Sequence, residues 1–202
     1  VRQARLSAEA AARVVKARIE KTILQDVTSS MEEVVGPDTC FIRVNIDIET
    51  MKKLQLESDL EVIRSSIVKT SALKLSDKYV RLDGRSSIRV LIGEENTFRN
   101  MQVLKRALPK VIIKGLPQVR RAVINDNEKE DRLNILVEGY GLREVIATEG
   151  VDGLRTKTNH TLETLSTLGI EAARKNIIDE IQYTMQSHGM TIDSRLVMLL
   201  AD

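Results

Sequence analysis

The chain has 202 residues, 42% hydrophobic and 30% charged, with 31 Lys and Arg against 29 Asp and Glu. That is enough apolar material for one domain or two small ones, and it excludes a disordered charged tail. A lone cysteine, Cys40, allows no internal disulfide, and no apolar run approaches the ~18 residues of a membrane span.

The first element expected is a long amphipathic helix. Ser7 is placed to cap it, and Ala11, Val15, Ile19, Ile23 and Val27 recur every four residues on one face. Lys16 and Glu20 stand at i,i+4 on its polar side. Gly36-Pro37-Asp38 signals a turn, and Ile42, Val44 and Ile46 alternate within a strand over 40–46. Two short helices follow at 48–56 and 59–68, with Ser58 as a possible cap for the second. A hairpin spans 79–92, because apolar residues alternate on both sides of Asp83-Gly84.

A helix over 97–108 is ended by Pro109, which disfavours helical geometry at Leu108. A short apolar strand at 111–113 follows. A second hairpin pairs 119–125 with 133–137 around a polar turn at 126–131. The last third is helical: 141–147, then 159–168 capped by Thr158-Asn159, then a stripe of Ile170, Ala173, Ile177, Ile181 and Met185. Gly169 marks a break or a close approach between backbones, and Gly189 suits the position just past a helix end. A final helix at 194–202 carries no obvious cap. The chain starts without Met and ends inside that helix, which reads as a portion of something larger. The fold class expected is α+β, with long amphipathic helices, small antiparallel hairpins and a C-terminal helical segment.

Few chemistries fit these residues. One cysteine with two histidines, His160 and His188, cannot build a Cys/His zinc site. No glycine-rich phosphate loop occurs, and 2% aromatic content without Trp argues against a base-stacking platform. Charge is more telling. From Thr97 to Asn125 there are seven basic residues and no acid: Arg99, Lys105, Arg106, Lys110, Lys114, Arg120 and Arg121. The remainder carries 24 basic and 29 acidic residues. Such a stretch is either a solvated surface whose acids lie elsewhere in the fold, or a strip that meets a polyanion.

The segment from Leu136 to the end is the most distinctive. Thr158-Asn159, the run Leu168-Gly169-Ile170-Glu171-Ala172-Ala173-Arg174, and Ile192-Asp193-Ser194-Arg195 before Val197-Met198-Leu199-Leu200 resemble the late part of the largest subunit of multisubunit DNA-dependent RNA polymerases. The wording is nearest the eukaryotic RNA polymerase III paralogue, through Glu180-Ile181-Gln182-Tyr183-Thr184-Met185, His188-Gly189-Met190 and Ala107-Leu108-Pro109-Lys110-Val111. One departure is Leu196, where the family pattern has His after the arginine.

The resemblance implies a non-catalytic cleft and jaw segment lying after the trigger loop. It implies a helical cleft portion over 1–35, an α+β jaw-like region over 36–125, and a hairpin and helical cleft portion over 126–202 leading to the first switch region. The implied task is to support downstream duplex DNA without reading its sequence, together with the trigger-loop base, inside a nuclear nucleotidyltransferase. The implied partners are other polymerase subunits, with no membrane. Magnesium and zinc are expected elsewhere in the full subunit, and no metal or catalytic residue is expected here. Candidate DNA contacts are Lys105, Arg106, Lys110, Lys114, Arg120, Arg121 and Arg195. Candidate anchors of the trigger-loop base are Thr158, Asn159, Gly169, Glu171 and Arg174. The alternatives are the same segment of polymerase II or an archaeal polymerase, or an autonomous α+β protein-interaction module with a basic patch.

Overall fold

The computed structural model describes residues 2–36, 39–71, 73, 75–84, 86–93, 97–127 and 132–202. It divides the chain into two compact units, the first running to Gly139 and the second from Tyr140 to Asp202. A boundary at 125/126 would cut a strand; the hairpin containing it stays with the first unit. Helices and antiparallel strands in small sheets make the class α+β, as expected.

In the first unit, α1 spans Arg2–Ile19, so Ser7 lies inside the helix rather than at its start. The Lys16–Glu20 pair forms at 3.5 Å. The helix does not continue to Val27. The chain straightens into β1 (Thr22–Ile23) and then makes one helical turn, α2 (Leu24–Val27). Two bonds stabilise the break: the Ile23 N–H donates to Asp26 Oδ2 at 3.1 Å, and the Leu24 N–H donates to the Val111 carbonyl at 2.8 Å. The turn sinks Leu24 and Val27 into the core.

Residues 28–35, expected to be helical, instead form strand β2 (Thr28–Val35), which pairs with β3 (Cys40–Ile46). Gly36 donates its N–H to the Thr39 carbonyl at 3.0 Å; Pro37 and Asp38 of the expected turn lie outside the described residues. Helix α3 (Ile48–Lys53) is capped by Asp47, whose carboxylate accepts from the Glu49 and Thr50 N–H groups. Hydrogen bonds from Thr50, hydroxyl first, hold that carboxyl below its ordinary value. Helix α4 (Leu60–Lys69) begins after Asp59, not Ser58; the Ser58 hydroxyl is buried with no hydrogen-bond partner among the described residues.

Strands β4 (Val80–Asp83) and β5 (Ser87–Leu91) form the expected hairpin and complete a four-stranded antiparallel sheet of order β2-β3-β5-β4. Its covered face carries Ile42, Val44, Ile46, Val80, Ile88 and Val90. These pack against Ile63 and Ile67 of α4 and against Met101 and Leu104 of α5 (Thr97–Ala107). A single 3-10 turn over Leu108–Lys110 ends α5 at Pro109 and leads to β6 (Ile112–Lys114), which pairs with β1. Gly115 then passes so close to α1 that a Cβ would stand 1.9 Å from the Glu20 carbonyl oxygen, at a backbone φ of +92°. Only glycine fits both demands.

Strands β7 (Val119–Asn127) and β8 (Arg132–Gly139) form the second hairpin, against α1; residues 128–131 of its turn lie outside the described residues. A register shift between Val119 and Arg121 buries Val119 and Ala122 while leaving both Arg120 and Arg121 exposed.

The second unit holds α6 (Leu142–Ile146), α7 (Thr161–Leu168), α8 (Ile170–Ser187) and α9 (Ser194–Ala201). The α8 helix packs on both α7 and α9 around Ala173, Ile178 and Val197. It ends as Gly189 predicts: the Gly189 N–H reaches the Gln186 carbonyl and the Met190 N–H reaches Met185, at a φ of +74° for Gly189. The cap missing from the sequence reading of α9 is Asp193, whose Oδ1 accepts the Arg195 N–H at 3.0 Å. Among the described residues no helix is long and apolar enough to cross a membrane.

Candidate nucleic-acid interface

The basic stretch is spread over four elements. Lys105 and Arg106 end α5, Lys110 ends the 3-10 turn, Lys114 ends β6, and Arg120 and Arg121 open β7. Their surroundings sort them. Lys105 Nζ lies 2.5 Å from Glu33 Oε1 and ties α5 to β2. The Lys114 side chain is only 22% exposed and sits 3.4 Å from Glu57 Oε2. Arg120 meets Glu138 across the hairpin at 3.7 Å, but remains 84% exposed, a geometry worth little in water. Arg106, Lys110 and Arg121 are exposed, with no acid in ion-pair distance among the described residues. Arg195 is exposed on the first turn of α9, in the second unit.

Lys114 belongs to a junction that the sequence did not reveal. Arg18, at the end of α1, donates from Nε and Nη2 to the Glu57 carboxylate at 3.0–3.1 Å, and Lys114 approaches the same carboxylate. The Arg18 hydrogen bonds, opposed by lost hydration and joined by Lys114, hold the Glu57 carboxyl below its ordinary value. The three residues come from α1, the α3–α4 loop and β6, too far apart along the chain for any local pattern to signal.

A second set of cations was also missed. Arg43, Arg89 and Arg81 face one another across β3, β5 and β4 on the uncovered side of the sheet. Asp83 Oδ2 accepts from Arg89 at 2.6 Å and lies 3.5 Å from Arg43, while Glu32 meets Arg43 at 3.5 Å. The Arg89 hydrogen bond keeps the Asp83 carboxyl below its ordinary value. The Phe41 ring lies under both guanidinium groups, 4.7 Å from Arg89 and 5.8 Å from Arg43. A signal did exist: each arginine sits between apolar residues that alternate inward, so all three must share the outward face.

In the second unit the expected anchors form a local framework. His160, not Thr158 or Asn159, caps α7: its Nδ1 accepts the Glu163 N–H at 3.1 Å. Thr158 Oγ1 accepts the His160 N–H at 3.2 Å, and Asn159 is exposed. Gly169 has a φ of +94° with nothing within 4 Å of a would-be Cβ, so its backbone conformation and not close packing selects glycine. The Arg174 Nε donates to Asp202 Oδ1, tying α8 to the end of α9; this bond raises the arginine's pKa and lowers that of the carboxyl, and Glu171 adds to the field at Arg174. A residue the sequence reading passed over, Glu163, accepts the Gly141 and Leu142 N–H groups at 2.9 and 3.2 Å and so anchors the start of α6 to α7. Among the described residues, no cluster of His, Cys, Asp or Glu could hold a metal ion.

The sequence is similar to that of known proteins. Residues 6–202 match the family described as RNA polymerase Rpb1, domain 5. The chain is 46% identical over 211 residues to DNA-directed RNA polymerase III subunit RPC1 of Saccharomyces cerevisiae, covering 96% of this chain and 14% of that subunit. It is 47% identical over 196 residues to the Homo sapiens subunit of the same name, covering 95% of this chain and 14% of that one. For Schizosaccharomyces pombe the identity is 42% over 207 residues, with coverage of 96% and 14%.

Proposed function

The chain belongs to the RNA polymerase Rpb1 domain 5 family, and from that premise we propose that it forms a non-catalytic cleft and jaw portion of the largest subunit of RNA polymerase III. In this reading it supports downstream duplex DNA and the base of the trigger loop, in a nuclear enzyme whose nucleotide addition, magnesium and zinc reside in other polypeptide. The observation that carries the reading is the 46–47% identity to polymerase III subunits across 95–96% of the chain. That identity favours polymerase III over polymerase II or an archaeal enzyme.

The geometry supports a mechanism of holding without reading. Duplex DNA presents one negative charge per about 1.7 Å, and cations on a rigid scaffold attract it whatever its sequence. Among the candidate cations of the first unit, Arg106, Lys110 and Arg121 have no acid in ion-pair distance among the described residues and are free to do so. Lys105 and Arg120 can contribute only by sharing an existing partner, and Lys114 chiefly joins elements of the fold. Arg195 serves near the template in the same proposal. Thr158, Asn159, Gly169, Glu171 and Arg174 act as scaffold for the trigger-loop base, through the α7 start, the α7–α8 break and the tie between α8 and α9.

Partner subunits follow from apolar surface. On α9, Leu199 and Leu200 are 76% and 73% exposed, and Leu162, Leu165 and Leu168 line one edge of α7 in the open. Helices apolar on several sides are ordinarily covered, and other polymerase polypeptide is the proposed cover. The test is to neutralise Arg106, Lys110 and Arg121 in the intact polymerase and to measure DNA retention as salt is raised. Weaker, less salt-dependent retention supports the reading, and unchanged retention refutes it.

A further inference from the structure

We propose that the loop between α6 and α7 is a rigid knob whose tip, Leu154, plugs into an aliphatic socket on protein elsewhere in the polymerase, an inference that rests on the assembly proposed above. Leu154 is 100% exposed, more than any other large apolar residue among the described residues. A flexible loop would let such a side chain fold away from water. This loop is fixed from within. The Asp152 carbonyl accepts the Arg155 and Thr156 N–H groups at 3.2 and 3.1 Å and the Thr156 hydroxyl at 2.8 Å. Asp152 Oδ1 accepts the Leu154 N–H at 3.2 Å, and Oδ2 lies 3.4 Å from Arg155 Nε. The loop is also seated: at Gly153 a Cβ would stand 2.8 Å from Ile146 Cγ2 of α6. Backbone already ordered in this way loses little entropy when its tip is captured.

Charge and side-chain type select the occupant. Residues 149–157 contain Glu149, Asp152, Arg155 and Lys157, a net charge of zero, and Arg155 already meets Asp152. Phosphate contact draws on unbalanced cations, and base stacking draws on aromatic rings; residues 147–159 offer no aromatic ring. A branched aliphatic tip on a neutral, preformed loop complements an aliphatic pocket of a protein.

The test uses the intact polymerase assembled on labelled template. With Leu154→p-benzoylphenylalanine, illumination is expected to yield an adduct to a single polypeptide site rich in aliphatic residues. An adduct to nucleic acid, or none, overturns the proposal while leaving the basic-residue reading to its own salt titration. Trypsin supplies an independent readout, because Arg155 and Lys157 flank the tip. Leu154 is wholly exposed, so its substitution does not disturb the unit's own packing. Leu154→Asp should raise cleavage after these residues roughly tenfold or more, the scale of losing one buried leucine, and Leu154→Met should match the parent. Equal cleavage of the parent and Leu154→Asp enzymes overturns the knob.

Discussion

Replacing Arg106, Lys110 and Arg121 by alanine together should flatten the salt dependence of DNA retention by the polymerase. Each phosphate contact contributes about 0.9 to the slope of log affinity against log salt on duplex DNA, so three contacts account for about 2.7. Between 50 and 200 mM salt the parent should then lose about 40-fold more affinity than the triple variant. The structure also supplies a control. Lys114 is 22% exposed and engaged with Glu57, so Lys114→Ala should leave the slope at the parental value. The assay is a titration of labelled duplex held by the assembled enzyme across that salt range. A parental slope in the triple variant, or an equal flattening by Lys114→Ala, would refute the sorting of cations by their partners.

Other consequences concern the scaffold. Ile63 is fully buried between α4 and the sheet, so Ile63→Ala should lower unfolding free energy by about 2–5 kcal/mol, read from the denaturant midpoint. Gly115→Ala places a Cβ 1.9 Å from the Glu20 carbonyl oxygen; the β1–β6 pairing should give way, and parental protease resistance would contradict this. The Asp83 and Glu57 carboxyls are held below their ordinary values. Their stabilisation should therefore be complete above about pH 5.5, where the unfolded carboxyls are ionised, and be lost as pH falls through the lower folded values. Melting temperature followed into acid should show a shallower decline for Asp83→Asn, and a parental profile would count against the Arg89–Asp83 bond.

Periodicity revealed the elements whose own residues decide their structure. Ile42, Val44 and Ile46 in β3, Ile88 and Val90 in β5, and the Pro109 stop after α5 were legible because burial on one face leaves a period of two, and because proline restricts its predecessor. Elements decided by partners were not. Thr28–Val35 carries no clean alternation, and pairing with β3 makes it a strand. Ile23 and Val27 continue the period of α1, yet the helix stops at Ile19 and the chain is extended at Ile23, where bonds to Asp26 and to the distant Val111 hold the break. Capping erred by a residue or two at α4 and α7, where Asp59 and His160 stand in place of Ser58 and Thr158 or Asn159.

The candidate site divided along the same line. A run of cations without acids is visible in one dimension, whereas Glu33, Glu57 and Glu138 reach Lys105, Lys114 and Arg120 only once the chain is folded. The row formed by Arg43, Arg89 and Arg81 was within reach of the alternation that identified the core, but it was hidden from a search for consecutive charge.

The proposed function has this polypeptide grip DNA and take no part in bond formation. Its most direct measurement compares, in polymerase stalled on DNA, the lifetime of the complex at raised salt with the rate of nucleotide addition at saturating substrate, for the parent and the Arg106, Lys110 and Arg121 triple variant. The account predicts a shortened lifetime with an unaltered addition rate. A slowed addition rate at an unaltered lifetime would contradict it.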